Sequence, residues 1–244
     1  MKKVKSIKHE KIWGYEIWMY SSVEKMETFF EDGTPVPHGP LVKIIKANQS
    51  LSLQVHPDDK FAQELENQPN GKTESWYVIE ALPGSELITG LTTYDENEIR
   101  ERLKNKTFSN ILLRTKIQKG EFYNIPAGRV HAVGAGATVF EVQQPSDTTY
   151  RYYDYDRKEN GKLRELHIDK AIKVQKPHEN ELLPISLNPL TYENEICTQV
   201  FTSGKTILAF DSIVVDLELY EAYYCLKGEE VNFSNYAIVS MLKK

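Results

Sequence analysis

Two cysteines in 244 residues, Cys197 and Cys225, are too few and too far apart for a disulfide framework or a CxxC pair. A reducing compartment, the cytoplasm, is the expected home. Long apolar runs are missing as well. None approaches the roughly 20 residues of a membrane span, and the basic opening Met-Lys-Lys-Val-Lys-Ser-Ile-Lys-His lacks the apolar stretch of a signal peptide. A strong excess of either charge is absent: a net charge of -5 argues against nucleic acid or an anionic membrane as partner. Internal repeats, low-complexity segments and Gly/Ser-rich linkers are lacking too.

What is present is mostly strand. Short runs rich in β-branched and aromatic residues fall at Leu41–Ala47, Ser50–His56, Glu74–Glu80, Ser85–Leu91, Asn110–Gln118, Glu121–Ile125, Thr138–Gln143 and Thr149–Tyr155. Gly, Pro, Asn and Asp punctuate them at the intervals of sandwiches and barrels. Asp95–Lys104 reads as a helix capped by Asp95, with Ile99 and Leu103 four apart. Lys60–Leu65 and Leu166–Lys173 are expected as short helices. Further strand-like runs follow Pro189: Cys197–Thr202, Lys205–Phe210, Ile213–Leu219 and Tyr236–Leu242. The fold class is therefore all-β, an antiparallel jelly roll over roughly 20–180 with a β-rich tail.

Two stretches carry polar residues where a strand would put core. In Leu51-Ser-Leu-Gln-Val-His-Pro-Asp-Asp59, Ser52, Gln54 and His56 share one face, because residues two apart on a strand point the same way. In Gly120-Glu-Phe-Tyr-Asn-Ile-Pro-Ala-Gly-Arg-Val-His131, the spacing is G-x5-P-x-G-x2-H. A strand rises from a glycine turn, breaks at Pro126-Ala-Gly128 and returns with a histidine. This second stretch resembles the second motif of the cupins, whose histidine binds a metal; Ala135 stands where cupins usually carry a non-ligand asparagine. The first cupin motif is altered, with Gln54 and His56 as the pair and Glu74 as the next strand carboxylate.

With that altered motif the chain resembles the zinc-dependent mannose-6-phosphate isomerases of the short bacterial form. The matching residues are "SLQVHPDDKFA", "GKTESWYVIEA", "YNIPAGRVHAVGAGATVFEVQQPSDTTYRYYDYDR" and "RELH". The resemblance implies a cupin jelly-roll β-barrel with short helical insertions and a truncated β-rich C-terminal segment. It implies one Zn2+ per chain, other divalent metals being possible, held by Gln54, His56, Glu74 and His131. Many short members carry a lysine at the position of Gln54. The implied reaction moves a proton between C1 and C2 of mannose 6-phosphate and fructose 6-phosphate through a cis-enediolate.

The resemblance also assigns roles around the metal. Arg151 takes the place of the active-site arginine, suited to negative charge on substrate oxygens; the plainer reading makes it a surface partner of Asp154 or Asp156. Glu141 stands where a base has been placed, against the alternative of a buried structural carboxylate. Lys72 matches a lysine able to transfer a proton or bind an oxygen, against a merely solvated one. Ser52 and Lys43 match residues that hold the phosphate. The run Tyr150, Tyr152, Tyr153, Tyr155 has Asp154 within it and Asp147 and Asp156 beside it, which suits packing or a sugar pocket better than base stacking.

Short members are longer and end in a second, smaller jelly roll, so the expected organisation is 1–185 as the catalytic cupin domain and 186–244 as a remnant of the second. A residue-poor join near "KIWGYEIWMYSS" departs from the family too. The expected partner is a small sugar phosphate, and the protein is expected as a monomer or homodimer. Two other readings stay open at this point: a noncatalytic cupin that senses sugar phosphate, and another metal cupin, such as an iron-dependent isomerase or a dioxygenase.

Overall fold

A computed structural model describes residues 1–178, 182–185 and 191–241. From the N-terminus come β1 (Lys2–Lys5), β2 (Ile7–Lys11), β3 (Gly14–Tyr20), β4 (Phe29–Phe30), β5 (Leu41–Ala47) and β6 (Leu53–Val55), then helix α1 (Asp59–Glu66). Next are β7 (Glu74–Ala81), β8 (Glu86–Leu91), α2 (Glu96–Lys104), β9 (Leu112–Lys116), β10 (Phe122–Ile125), β11 (Ala132–Val133), β12 (Ala137–Gln143) and β13 (Tyr150–Tyr153). The hairpin β14 (Lys158–Glu159) and β15 (Lys162–Leu163) leads to α3 (Ile168–Val174). Then follow β16 (Thr191–Glu193), β17 (Thr198–Ile207), β18 (Ser212–Asp216), β19 (Glu221–Cys225) and β20 (Glu230–Ser240).

A six-stranded antiparallel sheet in the order β10-β7-β12-β5-β3-β2 forms the central wall. Its middle strands, Leu-Val-Lys-Ile-Ile-Lys-Ala and Ala-Thr-Val-Phe-Glu-Val-Gln, are β-branched and covered on both faces. Alternation sends Val42, Ile44, Phe140 and Val142 to one side, where they join a core with Phe201, Ile213, Val215 and Val239. Each such fully buried side chain contributes about 1.5–3 kcal/mol. The other side carries Ile45, Trp76, Val78 and Val139 into the barrel core. It also carries Lys43 and Glu141, two buried charges on strands otherwise made for packing.

Opposite lie the β11-β8-β9 sheet and the β13-β6 pair. Leu53, Val55, Ile88, Tyr150 and Tyr152 pack there against Ile99 of α2 and Ala171 of α3. Tyr150 and Tyr152 are thus core, as the packing reading expects. Helix α2 begins as expected, with Asp95 accepting from Glu98 N at 2.8 Å. Its other face is solvated and charged, with Arg100 and Arg102 paired to Glu96 and Glu98. No helix among the described residues is long and apolar enough to cross a membrane, and both cysteines are free and buried.

The N-terminal residues depart from the expectation of a barrel starting near residue 20. The β3 strand lies beside β5, and β1 joins the far sheet, β16-β17-β20-β18-β19-β1-β4, through antiparallel pairing with β19. Both ends of the chain therefore build one sheet. The expected pair Cys197–Thr202 and Lys205–Phe210 is one long strand, β17, bulged between Thr202 and Gly204. Gly204 adopts φ +73, which a glycine tolerates at such an irregularity. The expected strand Tyr236–Leu242 is the second half of β20, and Leu242 lies outside the described residues.

Candidate functional site

Two loops fix the site. Gln54 and His131 exchange backbone hydrogen bonds at 3.1 and 2.9 Å, which pins the residue after the Pro126-Ala-Gly128 turn to β6. Gly128, at φ +91, donates to His56 O at 2.8 Å, tying that turn to the end of the same strand. Beyond Pro57, Asp58 caps α1 by accepting from Phe61 N at 3.0 Å. The chain then returns so closely that a Cβ on Gly71 would stand 2.5 Å from the Asp58 carbonyl carbon. Only glycine fits there, and the next residue, Lys72, is held by its N–H donating to Pro57 O at 3.0 Å.

These loops bring His56, Glu74 and His131 together, each 1% exposed. His56 Nε2 lies 3.2 Å from His131 Nε2 and 3.4 Å from Glu74 Oε2, while His131 Nε2 lies 3.2 Å from Glu74 Oε1. The Nδ1 atoms face carbonyl oxygens, of Thr148 at 2.9 Å and Arg129 at 2.8 Å. A carbonyl only accepts, so each Nδ1 carries the proton and each Nε2 turns a lone pair to the centre. Trp76 packs edge-on against His131 at 5.4 Å and fixes its plane.

A divalent ion fits this arrangement. Neither oxygen of the buried Glu74 carboxylate has a well-formed hydrogen bond. A tetrahedral ion with bonds of ~2.0–2.2 Å would separate its ligand atoms by about 3.3 Å, the spacing these three groups show. Burial pushes the His56 imidazole down to about 3, helped by the Lys72 charge, so it stays neutral and able to ligate. Burial alone would raise the Glu74 pKa; the Lys72 ammonium beside it leads the groups that outweigh burial and hold the carboxyl well below its usual range.

Lys72 Nζ stands 2.9 Å from both His56 Nε2 and Glu74 Oε2. Gln54 adjoins the triad: its amide Nε2 is 3.4 Å from His131 Nε2, and its Oε1 accepts from Ser52 Oγ at 3.4 Å. Past these residues opens a cavity of about 220 Å³. Lys43, Ser52, Gln54, Lys72, Glu141 and Arg151 all line it. Lys43 Nζ pairs with Glu141 Oε1 at 3.1 Å and lies over the Trp18 ring at 5.2 Å, while Trp76 Nε1 donates to Glu141 Oε2 at 2.8 Å. Burial would lower the Lys43 pKa, but Glu141, Glu16 and Glu74 raise it instead, so the ammonium is fixed.

No protein-family model matches the chain. Over 135 residues, 55% of its length, it is 47% identical to the mannose-6-phosphate isomerase ManA of Bacillus subtilis. Over that stretch the chain is similar to the mannose-6-phosphate isomerases. It spans less than half the length of the curated relatives it matches, 43% of ManA. The crystal structure of the mannose 6-phosphate isomerase from Bacillus subtilis superposes with a TM-score of 0.71 at 25% identity, over 99% of this chain and 97% of that one. A mannose 6-phosphate isomerase structure bound with zinc and yttrium shares the fold, with a TM-score of 0.65 at 13% identity over 99% of both chains. The cupin jelly roll read from the sequence is thus the fold of this chain.

The cavity wall also holds residues to which the sequence motifs assign no role. Lys11, Trp13, Glu16, Trp18 and Arg164 also line it. Glu16 accepts from Trp18 Nε1 at 2.7 Å and faces Lys11 at 3.8 Å. Nothing in the local pattern of "KIWGYEIW" tells which wall its strand joins. The plainer reading of Arg151 is not met: Asp154 pairs with Arg157 and Arg164, and Asp156 with Lys106.

Proposed function

We propose that the protein is a metal-dependent aldose-ketose isomerase interconverting mannose 6-phosphate and fructose 6-phosphate. One observation carries this reading: a His56–Glu74–His131 triad backs a single cavity lined by Lys72, Glu141 and Arg151. The identity of 47% to an enzyme named for that reaction supports it.

Zinc, one ion per chain, is the proposed metal; His and Glu donors accept other divalent ions as well. When bound, it supplies Lewis-acid polarisation of a substrate oxygen. His56, Glu74 and His131 hold it, with Gln54 the fourth protein group beside them. Lys72 and Glu141 are the groups proposed to move the proton between C2 and C1. Lys72 is the nearer to the triad, and Glu141 is kept oriented by Trp76 and Lys43. Arg151 stabilises negative charge developing on the sugar oxygens. Ser52 and Lys43 bind substrate from the adjoining wall. Every residue given a role lies within 1–185, which we assign as the catalytic region, with 186–244 as its β-rich appendage. A cytoplasmic location accords with the two free cysteines.

The test is a coupled assay of mannose 6-phosphate to fructose 6-phosphate conversion with elemental analysis of the same sample. Isomerisation by protein carrying a divalent metal supports the reading. Metal without isomerisation of any hexose phosphate would remove the catalytic part of it.

A further inference from the structure

We infer that His167 is a positioning residue: it holds the backbone of Arg151 in place and so aims that guanidinium into the cavity. The inference rests on the isomerase reading, in which Arg151 meets the charge that develops on the sugar oxygens.

Gln54 stands opposite Arg151 in register, but its N–H and C=O are both engaged by His131, at 3.1 and 2.9 Å. A residue in an antiparallel strand turns both groups to the same side, so those of Gln54 point away from β13. Arg151 and Gln54 are therefore a non-hydrogen-bonded pair, and the N–H and C=O of Arg151 face outward from β6. The pairing is also irregular just beyond, between Arg151 and Tyr153. One residue meets both outward groups. His167 N donates to Arg151 O at 2.8 Å, and Arg151 N donates to His167 Nδ1 at 3.3 Å. The imidazole thus stands where a neighbouring strand would put a carbonyl. Its mount is rigid. His167 directly precedes α3, its carbonyl accepts from Ala171 N at 2.8 Å, and its side chain does not cap that helix. Ala171 is buried in one core with Tyr150 and Tyr152, the two neighbours of Arg151. The guanidinium has no such anchor. No ion pair holds it among the described residues, and its Nε is buried without a hydrogen bond. Its aim depends on the backbone beneath it.

The clamp has a chemical condition. Nδ1 accepts only in a neutral ring whose proton sits on Nε2. An imidazolium would set an Nδ1–H against the Arg151 N–H and open the contact. The surroundings favour the neutral ring. Burial and then the Arg151 charge hold the His167 pKa below its ordinary 6.5, with Lys170 of α3 acting the same way and Glu165 and Glu66 acting against them. Glu165 is exposed, its Oε2 3.9 Å from His167 Nε2. Glu66 of α1 accepts from Lys170 Nζ and from the Tyr150 hydroxyl, each at 2.7 Å, and the Tyr150 ring lies 6.1 Å from the imidazole.

The experiment compares the metal-loaded wild type with His167→Phe and His167→Asn, each alone and combined with Arg151→Ala. It measures kcat and KM for mannose 6-phosphate across pH, together with bound metal. His167→Phe should lower kcat about tenfold or more while KM and metal change little, since a displacement of about 1 Å at a reacting site can cost ~10²-fold. In the Arg151→Ala background the same change should cost almost nothing more, because coupled residues are not additive. His167→Asn offers a side-chain oxygen that accepts from Arg151 N and does not titrate. It should keep most of kcat at neutral pH and lose the fall in kcat that the wild type shows as His167 protonates. Equal costs of His167→Phe with and without Arg151, or an acid limb in His167→Asn matching the wild type, would overturn the inference. Should His167→Phe fail to fold, the His167→Asn profile decides. Should the wild type turn over no hexose phosphate, the isomerase reading fails instead, and nitrogen NMR of the ring decides the clamp. A bare Nδ1 at neutral pH, with the Arg151 amide titrating alongside the ring, supports it; a protonated Nδ1 overturns it.

Discussion

The Nε2 atoms of His56 and His131 stand 3.2 Å apart with both Nδ1 protons donated to backbone carbonyls, so two imidazole lone pairs converge in a dry pocket. The donors nearest them are Lys72 Nζ, 2.9 Å from His56 Nε2, and the Gln54 amide, 3.4 Å from His131 Nε2. Replacing His131 by Ala removes one ligand and opens space beside Trp76. We expect metal content to fall to a small fraction of the wild type and turnover to vanish. Elemental analysis and the isomerase assay check this; full metal and normal activity in His131→Ala would withdraw the assignment.

Arg151 reaches the cavity from β13 without an ion pair among the described residues, so its charge is free for substrate. Arg151→Ala is expected to retain metal and to lower kcat by roughly 10²–10³, the effect of losing one stabiliser of a developing oxyanion. A rise in KM at constant kcat would instead make Arg151 a ground-state binding residue.

Lys43 and Glu141 are both buried and depend on each other. Removing one partner of a buried pair leaves the other charge without its counter-ion, at a cost of about 3–5 kcal/mol. Lys43→Met alone should show that loss in denaturant unfolding. The double variant Lys43→Met/Glu141→Gln should recover most of it. Additive losses would mean that the two charges are not coupled.

Glu16 accepts from Trp18 and sits near Lys11 and Lys43. Burial would raise its pKa, but Lys43 and then Lys11 lower it below the ordinary 4.5. In the window below about 4.5 the unfolded chain therefore binds the proton that the folded chain refuses. The stability from Glu16 is present above that pH and is lost as pH falls through the folded value. Glu16→Gln should lower the unfolding free energy by about 1–3 kcal/mol at neutral pH, with the gap closing on acidification. A constant gap from pH 7 to 3.5 would contradict this.

His56, Glu74 and His131 were legible through the resemblance to a known family, whose motif brackets His131 with a turn of fixed Pro and Gly positions; local patterning alone marked only the polar face of Ser52, Gln54 and His56. The Asp95 cap was legible for a local reason too. Strands at the two ends were not. The Lys-rich Lys2–Lys5 forms a strand between Phe29–Phe30 and Glu221–Cys225, the latter a partner more than 200 residues away. Glu16 and Arg164 reach the cavity through such long-range placement. Nor could the pattern reveal that Gln54 would sit behind Ser52 and beside the triad, since face alternation gives direction and not distance.

The most direct test strips the purified protein with a chelator, restores zinc in steps, and follows conversion of mannose 6-phosphate against bound metal. The account predicts that activity disappears with the metal and returns in proportion, saturating near one ion per chain. Isomerase activity undiminished in the stripped protein, or none at full zinc occupancy, would contradict it.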